Sequence, residues 1–255
     1  IYTGEDTLSL HDALPILEAK INPEHFKVLY PLKDWRVLDL ASLHSKSDAR
    51  LSQSSLIRLI LRLEKAKVIK GFRDPWSRKK YVYLTKFGEE LISLNEYPTA
   101  ISNESLFHDL RVVDLGLEFL KNGVFKKIRF EHQIVNKKNY VTNLALIPDA
   151  EIDGEMNGKN FSLAIELELH QKSKDRLKKK GEQYLGALYD HCLFMFADRN
   201  TLENYRKFFI EKLGEKFNEK IFLFHLKGIY ESEIDLQKTS GFVFGKWMSF
   251  NDVFC

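Results

Sequence analysis

Between Phe161 and Leu169 apolar and polar residues alternate without a break. Phe161, Leu163, Ile165, Leu167 and Leu169 point one way, and Ser162, Ala164, Glu166 and Glu168 point the other. A period of two belongs to a β-strand, and one apolar side predicts a half-buried strand. Just before it, Asn157-Gly158 supplies residues that tolerate positive φ, as a hairpin turn needs. Asp149 then falls on the neighbouring strand, where it can converge with Glu166 and Glu168. Clustered carboxylates repel one another unless a cation or a proton lies between them. A hard divalent cation such as Mg²⁺ takes oxygen ligands of this kind, so Asp149, Glu166 and Glu168 are the candidate metal ligands. A lone Glu-x-Glu on the solvated face of an edge strand would have the same local pattern.

The order is Pro148-Asp149, a hairpin, Glu166-Leu167-Glu168, then a helix rich in lysine. This resembles the PD-(D/E)xK nuclease fold. The resemblance implies that Asp149 and Glu166 ligate Mg²⁺, with Mn²⁺ as its substitute, and that a nearby Lys helps to activate water. The family's third position, a Lys, is occupied here by Glu168. Lys172 or Lys180, on the following helix, would have to reach in. The implied catalytic set is thus Asp149, Glu166, Glu168, Lys172 and Lys180, and whether the chain cleaves is left open.

A length of 255 residues accommodates two ordinary domains. With 44% hydrophobic and 29% charged residues, the composition is that of a soluble globular chain. No apolar run is long enough to span a bilayer, there is no secretory signal, and no membrane partner is expected. Two cysteines, Cys192 and Cys255, make no disulfide framework and suggest a reducing, cytoplasmic setting. Residues 1–16 resemble the in-frame translation of a short-read sequencing adapter. The expectation is that they lie outside the fold and that the natural N-terminus is missing or altered.

Residues 17–97 read as the first domain. Leu32, Trp35, Leu38, Leu40 and Leu43 have roughly helical spacing, with Asp34 as a candidate cap. A second helix is predicted over Leu51–Ile69, capped by Ser52 or Ser54. A basic turn from Gly71 to Lys80, a strand Tyr81–Leu84 and a helix Lys86–Leu94 capped by Thr85 follow. Helix, helix, basic hairpin, helix is the winged helix-turn-helix order. The run from Ala66 to Gly88, ending in Leu84-Thr85-Lys86-Phe87-Gly88, resembles bacterial winged-helix regulators. That likeness implies DNA as partner, with Ser52, Gln53, Ser55 and Arg58 near base edges.

Charge points the same way. Residues 58–80 carry Arg58, Arg62, Lys65, Lys67, Lys70, Arg73, Arg78, Lys79 and Lys80 against only Glu64 and Asp74. That excess of seven sits in a chain whose net charge is +3. A local patch of this kind favours phosphate contacts and salt-dependent binding. Arg62, Arg73, Arg78, Lys79 and Lys80 join the candidate DNA-binding residues. Winged helices also serve as protein-interaction modules, and a second copy of the chain is a candidate partner.

Residues 98–105, within the polar run Asn95–Ser105, read as a linker. The second domain, 106–255, opens with an amphipathic helix over Leu106–Lys121. Its His108 and Asp109 read first as local caps and secondly as catalytic groups. Strands are predicted over Ile128–Val135 and Tyr140–Ile147. A helix over Gln171–Tyr189, a strand Leu193–Ala197, a helix Asn200–Leu213, a strand Lys220–Leu226 and a closing strand within Gly241–Phe250 follow. The lysines of the first of these helices suit either a phosphate backbone or a solvated face. The fold class is thus α/β (α+β overall): a winged helix followed by a restriction-endonuclease-like domain with a mixed central sheet. No phosphate-binding glycine loop, zinc spacing or nucleophile elbow is present.

Taken in order, the winged helix, the linker, His108-Asp109-Leu110-Arg111-Val112-Val113-Asp114, Pro148-Asp149-Ala150, Glu166-Leu167-Glu168 and the lysine-rich helix ending in Tyr184 resemble the bacterial replication-relaxation family. That resemblance covers about residues 30–200 and implies a DNA transaction of a plasmid or other mobile element. Glu168 fits that family's pattern better than the nuclease pattern. Three functions are consistent with the sequence. They are a mobile-element DNA-binding protein with a nuclease-like domain, a Mg²⁺-dependent endonuclease, and a winged-helix transcriptional regulator.

Overall fold

The structure, a computed structural model, describes residues 23–48, 50–92, 101–102, 104–134, 146–230 and 234–254. Residues 1–16 and the segment 135–145, with most of the strand expected over Tyr140–Ile147, lie outside the described residues. The chain divides into two compact units, Ile1–Ser102 and Asn103–Cys255.

In the first unit, α1 (Pro23–Phe26) and α2 (Tyr30–Trp35) precede β1 (Val37–Asp39), α3 (Leu40–Lys46) and α4 (Gln53–Lys65). The hairpin β2 (Ile69–Arg73) and β3 (Lys80–Leu84) and the short α5 (Lys86–Leu91) complete it. The three strands form an antiparallel sheet in the order β1-β3-β2. The single helix expected across Leu32–Leu43 is broken. Arg36, with φ 63°, closes α2 through its N–H on Leu32 O and turns the chain into β1. Val37 and Leu38 then pair with Tyr83 and Val82, so tertiary pairing overrides the helical spacing. Asp39, not Asp34, caps α3, accepting from Ala41 N at 2.8 Å and Ser42 N at 3.1 Å. Helix α4 stops at Lys65 rather than Ile69, because Lys67 (φ 57°) redirects Ile69 into β2.

The Leu-Thr-x-x-Gly ending has a physical cause. Thr85 Oγ1 accepts from Gly88 N at 3.0 Å and donates to Lys67 O at 2.6 Å, tying α5 to the exit of α4. Gly88 lies so close to that exit that a Cβ there would be 2.0 Å from Val68 O.

The second unit is mixed α/β, with a seven-stranded mixed sheet. Helix α6 (Leu106–Lys121) leads to β4 (Phe125–Phe130) and α7 (Glu131–Ile134). The strand expected to continue to Val135 therefore ends at Phe130. β5 (Ala150–Met156) and β6 (Lys159–Glu168) form a hairpin across Asn157 (φ 53°) and Gly158 (φ 73°). Then come α8 (Lys174–Leu185), β7 (His191–Phe196), α9 (Arg199–Leu213), α10 (Phe217–Lys220) and β8 (Ile221–His225). A hairpin of β9 (Ser240–Val243) and β10 (Lys246–Ser249) and α11 (Phe250–Phe254) end it. The sheet order is β10-β9-β8-β7-β6-β5-β4, with β6, β7 and β8 parallel and the other neighbours antiparallel.

Strand register decides which face each side chain takes. Ala164 aligns with Cys192, Glu166 with Phe194 and Glu168 with Phe196, so all six share one face. Leu177 and Tyr184 of α8, Leu202, Tyr205 and Phe209 of α9, and Phe217 of α10 belong to the same buried cluster as Ala164, Cys192, Phe194 and Phe196. On the other face Phe224 meets Phe250 of α11, and Phe119 of α6 meets Phe125 and Phe250. Strand β6 is therefore covered on both faces, not half-buried. Its carboxylate side is the interior side. No helix among the described residues is long and apolar enough to cross a membrane.

Gly88→Ala should destabilise the first unit by about 1–3 kcal/mol, because the clash is with backbone and cannot relax by a rotamer change. Thermal and urea denaturation measure the loss, and an unchanged midpoint would contradict this packing.

Candidate functional site

Register brings the sequence-predicted carboxylates together. Ala150 pairs with Ile165, which sets Asp149 opposite Glu166, with Glu168 two residues further along β6. Glu166 is 0% exposed and Glu168 1%. A buried carboxylate costs several kcal/mol unless it is paired and hydrogen-bonded. Both are. Lys180 of α8 pairs with Glu166 Oε2, and the Tyr184 hydroxyl donates to Glu166 Oε1. Lys172 Nζ lies 3.1 Å from Glu168 Oε1, and the Tyr205 hydroxyl donates to Glu168 Oε2 at 3.2 Å. Lys180 also lies 3.9 Å from Glu168 Oε1. Both lysines singled out in the sequence thus reach the acids, one each.

Helix geometry explains the reach. Lys180, Leu177, Gly181 and Tyr184 share the inner side of α8, and Gly181 lets that helix close on Phe209 and Leu213 of α9. The helix itself runs over Lys174–Leu185, shorter than the span expected from Gln171 to Tyr189.

Asp149 is held from two sides. Its Oδ2 accepts from Leu167 N at 2.7 Å and lies 3.4 Å from His108 Nε2. The same His108 nitrogen is 3.2 Å from Leu167 O, and His108 Nδ1 is 3.6 Å from Asp109 Oδ1. His108 is therefore no helix cap. It reaches from the first turn of α6 to the end of the β5–β6 pair, while Ser105 at the cap position makes no side-chain cap bond.

The electrostatics follow. Burial and the Asp149 carboxylate push Glu166 up to about 8, against the pull of Lys180 and Tyr184. Burial opposes the charge on Lys180, but Glu166 and Asp149 outweigh it and raise its value. Burial would lower His108, yet Asp109 and Asp149 raise it to about 10. Burial opposes ionisation of Asp149, but His108, Lys180 and the Leu167 N–H hold it below the usual carboxylate range.

The donor set is oxygen-rich and chemically suited to Mg²⁺. All four oxygens of Glu166 and Glu168 accept from lysine or tyrosine. Among the described residues, no group of three or more His, Cys, Asp or Glu side chains is placed to hold a metal ion. The charge is compensated by Lys172, Lys180 and His108.

The second set of candidates lies in the first unit. Ser52 caps α4 by accepting from Ser55 N at 3.2 Å. Gln53, Arg58 and Arg62 are exposed along α4, with Ser55 partly covered, and Arg58 NH2 is 3.4 Å from Ser55 Oγ. Buried Asp74 organises the turn between β2 and β3, its carboxylate accepting from Ser77 N at 3.1 Å, and Arg78 (φ 60°) and Lys79 are exposed at the tip. Arg73 NH1 donates to Arg78 O at 2.9 Å. Lys80 is turned inward, 2.5 Å from Glu64 Oε2, and so belongs to the hairpin's attachment to α4.

No protein-family model matches this chain, and no curated protein or solved structure matches it either. The likeness to the replication-relaxation family rests on the order of motifs alone.

His108 carries a pH signature. A group whose value is raised on folding stabilises fully below its ordinary value, 6.5, and loses that contribution as pH rises through about 10. Glu166, also raised, loses its share by about pH 8. The stability of the second unit should therefore still fall between about pH 8 and 10, and His108→Gln should flatten that fall. Urea denaturation across this range decides it. Parallel curves for both proteins would remove His108 from the network.

Proposed function

We propose that this protein binds double-stranded DNA through its first unit, as a winged helix, and that its second unit is a nuclease-like scaffold held in a lysine-compensated form that does not cut. The observation that carries the reading is the pairing of two exposed basic features, Arg58 and Arg62 on α4 and Arg78 and Lys79 at the tip of the β2–β3 turn. A helix of 13 residues with a polar N-terminus suits a major groove, and a basic hairpin suits the flanking phosphates. A role in replication, relaxation or transfer of a plasmid or other mobile element is the family-level part of this proposal, and it rests on the motif order.

A specific observation favours a second reading, a metal-dependent endonuclease. Lys180 reaches Glu166, opposite Asp149, as a nuclease of this fold with a displaced lysine would require. Against it stands the full engagement of Glu166 and Glu168 by internal donors.

Two experiments separate the readings. In fluorescence anisotropy with duplex DNA, Arg58→Ala with Arg62→Ala should weaken binding at least about tenfold. It should also lower the slope of log affinity against log salt by about two, roughly 0.9 per phosphate contact. Lys80→Gln should leave that slope unchanged, because Lys80 is spent on Glu64. Equal slopes for all proteins would sink the DNA surface described here. In a plasmid assay with Mg²⁺ or Mn²⁺ against EDTA, the expected result is binding without nicking. Metal-dependent nicking lost in both Asp149→Ala and Glu166→Ala would establish the endonuclease instead.

A further inference from the structure

Helix α4 exposes more than charge. Leu56, Leu59, Ile60 and Leu63 form its buried side. At 100° per residue, the side facing away carries Ser54, Arg58, Leu61 and Lys65, with Ile57 and Arg62 beside them. Leu61 is 56% exposed and Ile57 43%, and the two stand four residues apart, one turn of helix. Single exposed leucines are ordinary on protein surfaces. Two neighbouring aliphatic side chains running alongside a pair of arginines form a small apolar strip, with Arg58 and Arg62 along one side of it, on the face that the proposed reading directs into DNA.

We infer that Ile57 and Leu61 are specificity-determining residues that contact the 5-methyl groups of thymine in the major groove, while Arg58 and Arg62 contact the adjoining phosphates. This inference rests on the DNA-binding reading and deepens it. The physical grounds are complementarity of two kinds. The major groove is a polyanionic channel whose one recurrent apolar group is the thymine methyl. An aliphatic strip lying beside a pair of arginines matches that mixture. A protein surface would need its own apolar area together with carboxylates for Arg58 and Arg62. A Leu–methyl contact carries no hydrogen-bond information, so this pair selects thymine over cytosine and over uracil by burial alone.

The test uses the full chain and a randomised duplex pool. Bound duplexes are selected and sequenced, and each thymine of the selected site is then replaced by deoxyuridine. That exchange removes only the methyl and keeps every hydrogen-bonding edge. The expected result is enrichment of thymine and a loss of about fourfold in affinity for each contacted methyl. Leu61→Ala should bind the thymine duplex more weakly and lose the distinction at one of the replaced thymines while keeping it at the one Ile57 contacts, whereas Arg58→Ala should keep the distinction at both. Because the Leu61 variant still binds, loss of discrimination cannot be mistaken for unfolding. Duplex binding that is indifferent to deoxyuridine overturns the inference and leaves the DNA-binding reading standing. Failure to bind any duplex overturns both. A Leu61→Ala variant that dissociates a dimer of this chain in sedimentation, with no change in deoxyuridine sensitivity, assigns the strip to self-association and overturns the inference as well.

Discussion

Two glutamates on the interior side of a β-strand are the constraint to which the second unit is built. Glu166 and Glu168 occupy positions where an apolar residue would pack without cost, between Ala164 and a layer of phenylalanines. Leaving either charge unpaired would cost several kcal/mol. Lys180 and Tyr184 of α8 answer Glu166, and Lys172, just before α8, and Tyr205 of α9 answer Glu168. The placement of α8 is therefore an electrostatic requirement as much as a packing one. Gly181 permits the close approach to α9 that keeps Lys180 and Tyr184 over the sheet.

Asp149 extends this network beyond the strand pair. It sits where β5 begins, takes the Leu167 N–H, and holds His108 from a helix that otherwise packs on the opposite face. Side chains at the end of the β5–β6 pair thus join both faces through one carboxylate. The chemistry of the site follows from that closure. Acids of a kind that attract a hard cation are here paired with Lys172, Lys180 and His108.

The first unit works the other way round. Its core buries Leu43, Leu56, Leu59, Leu63, Tyr81 and Val82, and its basic residues Arg58, Arg62, Arg78 and Lys79 are exposed. Lys80, turned inward, anchors the hairpin to α4 through Glu64. That anchoring frees the turn between β2 and β3 to present Arg78 and Lys79 on a backbone organised by the buried carboxylate of Asp74.

Much of this was legible in the amino-acid order because it is local. Alternation over residues 161–169 marks β6, Asn157-Gly158 marks its hairpin, Thr85 marks the start of α5, and the apolar stripe over Leu106–Lys121 marks α6 to the residue. Cap chemistry and side-chain period need no knowledge of the rest of the chain. The sequence also singled out Asp149, Glu166, Glu168, Lys172 and Lys180. What it could not determine was non-local. Helical spacing across Leu32–Leu43 gave way to pairing with β3, a partner some forty residues away. His108 resembled a cap and instead meets Asp149, and Tyr205 carried no local signal at all. A period of two says which residues share a face but not whether that face meets water. Only the covering of β6 by α8 and α9 made the carboxylate side an interior, because burial is a property of what the rest of the chain brings, not of the strand itself.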